Sequence, residues 1–335
     1  MNTSSNKLLK AENIPRHLWD PDFEAKGQRG LLSLPVSLTA AHRTVVSRDG
    51  FLSAIPLRSS GDSPVGGEGD DETRQHFVQA YDGSCARSQL ALLDPKDQVA
   101  FASNRIVRSL AGNSMSFTDA PCGAGAAFLA ILTTLAELRE HGVLPRLPLD
   151  IRLIGADISP LARDYAVLML EEVRSALESQ AIFVETSFSS WDVLSQPSNM
   201  NLIREITLAS HKRPKKLLVV ANFTGFLISQ GKYKSAEAQL KELFRYCSTP
   251  GGAALWIEPQ TSNAIRPQTG LFARITRFFR DHLLSFGSVE VDDATLDSAA
   301  VTEVLYRLSL QPDDTSTARL AVLPILLEPQ LELQP

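Results

Sequence analysis

Asp119, Asp157, Asp192, Asn222 and Glu258 share a position: each stands at or just after the end of a run that reads as a β-strand. Ligands of open α/β sheets bind at the carboxyl ends of parallel strands, so side chains there are candidates for chemistry. A carboxylate only accepts hydrogen bonds and can take two donors, which suits hydroxyls and amines. The first acid is followed by Ala120-Pro121-Cys122-Gly123-Ala124-Gly125 and then by an apolar helical pattern from Ala126 to Leu138. Glycines two residues apart let the chain turn tightly and admit a ligand where a Cβ would block it. The helix that follows aims its unpaired N–H groups at the same place. Together these residues describe a cradle for a nucleotide-like ligand.

Alternating elements must position that set. Strand patterns fall at 115–119, 151–156, 181–185, 216–221, 253–258, 287–292 and 301–310. Helical patterns fall at 125–141, 160–178, 200–209, 232–248 and 269–285. Alternation of this kind predicts a parallel sheet, with the last two strands as an antiparallel hairpin at one edge. Before the first strand, Glu72 to Leu92 reads as a helix broken at Asp82-Gly83, and Asp94-Pro95 opens another that runs to about Leu110. These two helices are expected to cover the pocket, with Tyr81 as a contact. Residues 1–58 show no single period and read as an N-terminal extension. Residues 59–72 have the Gly, Ser and acidic composition of a linker, 73–312 form the main domain, and 313–335 read as a tail.

The ordered set resembles class I S-adenosylmethionine-dependent methyltransferases. Asp119-x-Pro-Cys-Gly-x-Gly is similar to the family's first motif, with Pro121 where the first glycine usually stands. The resemblance implies a Rossmann-like α/β fold: a doubly wound, mostly parallel seven-stranded sheet, here with an N-terminal extension. It implies S-adenosylmethionine as cofactor. Asp119 would hold the amino group of the methionine portion, and Pro121, Cys122, Gly123, Ala124 and Gly125 would pass beneath the cofactor. Asp157 would take the ribose hydroxyls, with Ile158 beside it. Trp191-Asp192 resembles the adenine site. Asn222-Phe223 would lie beside the transferred methyl, with Asn222 orienting the acceptor and Glu258 as a base or acceptor-binding acid.

Alternatives follow from the same residues. A dinucleotide-binding turn would carry a third glycine where Phe128 stands, which argues against an oxidoreductase. Asn222-Phe-Thr-Gly225 is a poor version of the Asn/Asp-Pro-Pro-Tyr tetrad of amino-methylating DNA enzymes. A methyltransferase-fold partner subunit without transfer activity stays open. Cys122 has no His placed beside it by the motif and reads as a small apolar filler. Trp191 could equally be core. Three scattered cysteines with no ligand spacing argue against a zinc site or disulfide framework, and fit a reducing cytoplasmic setting. A net charge of −5 disfavours a nucleic-acid-coating surface. No run reaches the roughly 18 apolar residues of a membrane span. The run His211-Lys-Arg-Pro-Lys-Lys216 precedes a strand and is expected at the sheet end away from the pocket, while Arg274, Arg277 and Arg280 could share a helix face. The methyl acceptor, whether small molecule, protein or RNA, is not written in these motifs, nor is the oligomeric state.

Overall fold

A computed structural model describes residues 7–48, 50, 69–213, 215–247, 251–259 and 300–325. Its centre is a nine-stranded mixed sheet flanked by helices, broadly Rossmann-like. The strands are β1 (Trp19–Ala25), β2 (Gln28–Leu32), β3 (Ser114–Asp119), β4 (Leu149–Asp157), β5 (Ile182–Ser190), β6 (Lys215–Ala221), β7 (Gly252–Pro259), β8 (Ala300–Arg307) and β9 (Thr315–Ile325). They lie in the order β1-β2-β8-β9-β7-β6-β3-β4-β5. The pairs β3/β4, β4/β5, β3/β6, β6/β7 and β2/β8 are parallel. β9 runs against both β7 and β8, and β1 against β2. The chain leaves β3 toward β5 on one side and returns at β6 on the other. The carboxyl ends of β3 and β6 therefore form a topological switch point, the usual ligand crevice of doubly wound sheets.

Two apolar cores explain the layering. One gathers side chains from helices α1 (Val36–Arg48), α2 (Asp70–Gln79), α3 (Tyr81–Leu93), α4 (Ala100–Leu110), α5 (Ala126–Glu140) and α6 (Pro160–Ser179). The other gathers α7 (Gln196–Ser210), α8 (Thr224–Ser229) and α9 (Tyr233–Cys247) on β4, β6 and β7. β3 is buried at five of its six positions, as expected of a strand covered on both faces. In α5 every residue from Ala127 to Arg139 is buried, Thr133, Thr134, Glu137 and Arg139 included, so this mostly apolar helix is covered on all sides. α6 starts at Ser159, whose hydroxyl accepts the Ala162 N–H at 3.2 Å, with Pro160 in the first turn.

Several expectations change. Among the described residues the sheet has nine strands where seven were expected. Much of the expected N-terminal extension is part of the fold: β1, β2 and α1 are built from it, and Leu31 and Leu32 pair with Leu305 and Tyr306 of β8. Residues 315–325, expected as tail, form β9, inserted between β7 and β8. The hairpin is thus β8–β9; the expected strand at 287–292, the helix at 269–285 with its arginines, and residues 51–68 lie outside the described residues. The linker's last three residues, Asp70 to Glu72, open α2. The helix break falls at Ala80, not at Asp82-Gly83. Asp94 does not start a helix: it ends α3 in a left-handed conformation (φ 44°), and its carboxylate accepts the N–H groups of Gln98 and Val99.

Candidate functional site at the switch point

The turn after β3 is shaped by its glycines and by Asp157. Gly123 (φ 50°) donates its N–H to Asp157 Oδ2 at 2.9 Å, and a Cβ built on it would meet nothing within 4 Å. Its conformation is left-handed and its open side faces no protein atom, so the turn has room beside it. Gly125 (φ 82°) is required for packing as well, because a Cβ there would come within 2.7 Å of the Phe128 ring. Phe128, where a third glycine would stand in a dinucleotide turn, is fully buried and fills the space against the turn. Cys122 donates its N–H to the Ala156 carbonyl at 2.9 Å and pins the turn to β4.

Asp119 ends β3 and is completely buried. Its Oδ2 accepts one long bond, 3.3 Å, from the N–H of Phe128 in the first turn of α5. Its Oδ1 is buried with no hydrogen-bond partner among the described residues. Burial raises its pKa well above the usual carboxylate range, and the nearby negative charge of Asp157 adds to this. Asp157, at the end of β4, is better served: Oδ1 accepts the Ser159 N–H and Oδ2 the Gly123 N–H. Burial still pushes its carboxyl up, against those donors and Arg163. Each oxygen keeps a second lone pair. Ile158, next along, is 52% exposed, an apolar side chain left open beside a buried acid.

The lid expectation is sharpened by α3, which lies over this edge. Tyr81 is buried; its hydroxyl has no oxygen or nitrogen partner among the described residues. Burial, then the Cys85 thiol, then the charges of Asp82 and Asp119 push its pKa up. Asp119 is thus one of the charged groups that act on the Tyr81 hydroxyl. Two turns of the same helix reach other strand ends. Asp82 accepts the N–H and hydroxyl of Ser309, just past β8. Arg87 Nε–H donates to Asn222 Oδ1, just past β6.

The remaining candidates are placed less evenly. Asn222 is left-handed (φ 57°) and donates its N–H to the Ile257 carbonyl at 2.8 Å. Glu258 is buried; its Oε1 accepts the Phe223 N–H at 3.1 Å and the Trp256 indole N–H at 3.0 Å, so it anchors the turn after β6. Trp191 lies in the second core, donates its indole N–H to Asn199, and meets the Phe223 ring at 5.9 Å. It supports the edge from inside rather than facing it. Asp192 Oδ1 accepts the Leu194 N–H, an ordinary turn contact. Cys85 and Cys122 are buried thiols whose pKa is pushed well up by burial, so neither is poised as a nucleophile. Ala124 is half-buried and packs against the first core. Among the described residues no group of His, Cys, Asp and Glu is arranged to hold a metal ion, and no helix is long and apolar enough to cross a membrane. Sequence reasoning missed Arg87, His42 and Ser309. A helical arginine six residues after Tyr81 carries no motif, and the other two meet Asp82 only through the fold.

Comparison with known proteins gives distant likenesses only. No family model matches the chain, and no curated protein sequence does. Among solved structures, a proposed class I S-adenosylmethionine-dependent methyltransferase from Listeria monocytogenes is similar with a TM-score of 0.35 and 14% identity, over 80% of this chain and 77% of that one. Loganic acid methyltransferase with SAH is similar with a TM-score of 0.34 and 10% identity, over 72% of this chain and 70% of that one. Both scores are too low to bear on function, which must be argued from the site.

Proposed function

We propose that this protein binds S-adenosylmethionine at the β3/β6 switch point and transfers its methyl group to an acceptor. The observation that carries this reading is the buried, unpartnered Oδ1 of Asp119, set beside a glycine turn whose open side is free. A buried carboxylate oxygen left without a partner is costly, and a cationic donor relieves that cost. The ligand's ammonium group is such a donor. The Asp157 carboxylate can take ribose hydroxyls with its remaining lone pairs, and the exposed Ile158 offers apolar surface to an adenine. Gly123 leaves room for the ligand to pass close to the backbone.

Bound there, the cofactor supplies an electrophilic methyl on a positively charged sulfur. The protein's part is alignment and exclusion of water. Asp119 and Asp157 fix the two ends of the ligand, and α3, with Tyr81 and Cys85 buried beneath it, keeps the space above Asp119 dry. Asn222 lies at the acceptor side of the same edge. Glu258 holds the backbone of Phe223 and so keeps that edge in place.

Calorimetric titration with S-adenosylmethionine tests the reading. Wild type is expected to bind, Asp157→Asn to bind at least about tenfold more weakly through lost charge-assisted bonds, and Gly123→Val to lose binding while keeping a cooperative melt. Absence of binding by folded wild type refutes it.

A further inference from the structure

We infer that the empty site keeps one proton on Asp119 and that the ligand's ammonium group expels it, so that binding of S-adenosylmethionine is coupled to proton release. This inference rests on the ligand reading above and adds a pH-dependent gate to the same site.

Two acids stand side by side at the switch point. Asp119 lies opposite Gly155 in the β3/β4 register, so Asp157 is two residues further along the neighbouring strand. Two carboxyls that share a buried site do not both ionise freely, and one of them keeps a proton. Their hydrogen bonds decide which. Asp157 has a backbone donor on each oxygen, the Ser159 N–H on Oδ1 and the Gly123 N–H on Oδ2, both at 2.9 Å. Arg163 adds a positive charge beside it, Nη1 donating to the Asp157 carbonyl. Asp119 has only the long bond from the Phe128 N–H on Oδ2, and Oδ1 has no partner among the described residues. The charge therefore settles on Asp157 and the proton on Asp119.

The surroundings of Asp119 offer no other support for a charge. On β6 its neighbour in register is Val219. The first turn of α5 contributes a backbone N–H, that of Phe128. The other titratable side chains that sense its charge are Tyr81 and Cys85 of α3 and Cys122 of the turn, each kept protonated by burial. Among the described residues no lysine, arginine or histidine pairs with Asp119. A neutral carboxyl in such a place costs far less than an ionised one. An ammonium group beside it reverses the balance, because an opposite charge favours the carboxylate. The O–H bond of Asp119 then breaks, its electron pair stays on the carboxylate, and the proton leaves to solvent. Carboxylate and ammonium together are neutral, so the buried site gains no net charge.

Calorimetric titration of the full chain at about pH 5.5, above the ordinary carboxylate range, tests the coupling. Repeating it in buffers of low and high ionisation enthalpy counts the protons exchanged per ligand bound. Three probes are compared: S-adenosylmethionine; S-adenosylhomocysteine, which keeps the ammonium without the sulfonium charge; and 5′-methylthioadenosine, which lacks the amino-acid portion. The first two are expected to release about one proton more than the third, a difference that subtracts any exchange at Asp157. Equal exchange by all three, or extra release with S-adenosylmethionine alone, overturns the inference while ligand binding stands. No binding of S-adenosylmethionine by the folded protein overturns the ligand reading and the inference with it. Between about pH 5 and 7 the ligand's ammonium stays charged. Over that range the affinity for S-adenosylhomocysteine is expected to rise by up to about tenfold per pH unit and then level off; an affinity that does not change with pH refutes the coupling. Infrared difference spectra give a reading that does not depend on the third probe. Adding S-adenosylhomocysteine is expected to remove a protonated-carboxyl band, and ligand-free Asp119→Asn, still melting cooperatively, is expected to lack it. A band that persists in either case overturns the inference.

Discussion

At the scale of single residues, the cost of burying Asp119 with an unpartnered oxygen is measurable. Its folded pKa lies above the unfolded value, because burial disfavours the charge and the Asp157 charge adds to that. In the window between the two values the folded state binds more protons than the unfolded state. Stability from this group is therefore full below the ordinary carboxylate value and is lost as pH rises through the raised one. Asp119→Asn is expected to abolish its share of that decline. In urea titrations from about pH 4 to 8, the variant should gain on wild type with rising pH, by about 1.4 kcal/mol for each unit by which the pKa is raised. It should also lose cofactor binding. A gap between variant and wild type that does not change with pH means that the carboxylate is not held against its preference. The place of Asp119, buried at the end of β3 before a glycine turn, was legible because the strand pattern ends on it and Gly123 and Gly125 follow. The Arg87–Asn222 hydrogen bond was not, because it joins residues far apart in the chain.

At the scale of elements, α3 is the piece that organises the edge, and a buried polar knot fixes its position. Asp82 accepts the backbone N–H of Ser309 at 2.8 Å and the Ser309 hydroxyl; His42 Nδ1 meets that hydroxyl at 2.6 Å, and His42 Nε2 donates to the Phe77 carbonyl at 3.0 Å. The three side chains are buried, so this is a latch joining α1, α3 and the chain after β8, not an accessible nucleophile. Burial alone would raise the Asp82 pKa, but its bonds to His42 and Ser309 outweigh that and lower it. With a folded pKa below the unfolded one, its contribution is present above the ordinary carboxylate value and lost as pH falls through the lowered one. Removing it leaves the buried Ser309 N–H and hydroxyl without their acceptor. Asp82→Ala is expected to cost about 1–3 kcal/mol in chemical denaturation near neutral pH, the range for leaving buried donors without their acceptor. The variant should also bind S-adenosylmethionine more weakly, because α3 covers Asp119. A cost typical of a surface position, under about 0.5 kcal/mol, would show that the latch does not hold α3. The same knot explains the misplaced helix break. Asp-Gly reads locally as a turn, yet Asp82 is bonded to Ser309, and Gly83 lies where a Cβ would come within 3.1 Å of the Tyr306 hydroxyl.

At the scale of the whole molecule, the elements that alternate strand and helix were readable from period alone from β3 through β7, except the short α8, which was not expected. The two ends of the chain were not, and for related reasons. β1 reads Trp-Asp-Pro-Asp-Phe-Glu-Ala, an edge strand whose proline and acids hide any apolar alternation. β9 opens on Thr-Ser-Thr and contains Pro324, so its composition suggests a tail although it pairs on both sides. These ends meet in space: Lys26 Nζ donates to the Thr315 carbonyl, and Gln28 Nε2 to Glu303. Further in, Glu137 of α5 accepts the Val36 N–H that starts α1 and meets His17 Nε2 at 2.7 Å. Leu31, Leu32, Leu34, Leu38, Val45 and Val46 are all buried. At about 1.5–3 kcal/mol for each such side chain, their burial is comparable with the roughly 5–15 kcal/mol of net stability of a whole domain. Residues 7–48 are accordingly part of the folding unit. Deleting them is expected to expose the edge of β8, uncover the α5–α6 face, and abolish the cooperative melt by circular dichroism. A shortened chain that melts cooperatively and still binds S-adenosylmethionine would instead make this segment an appendage, and would remove α1, and with it the His42 latch, from the account of how α3 is held over Asp119.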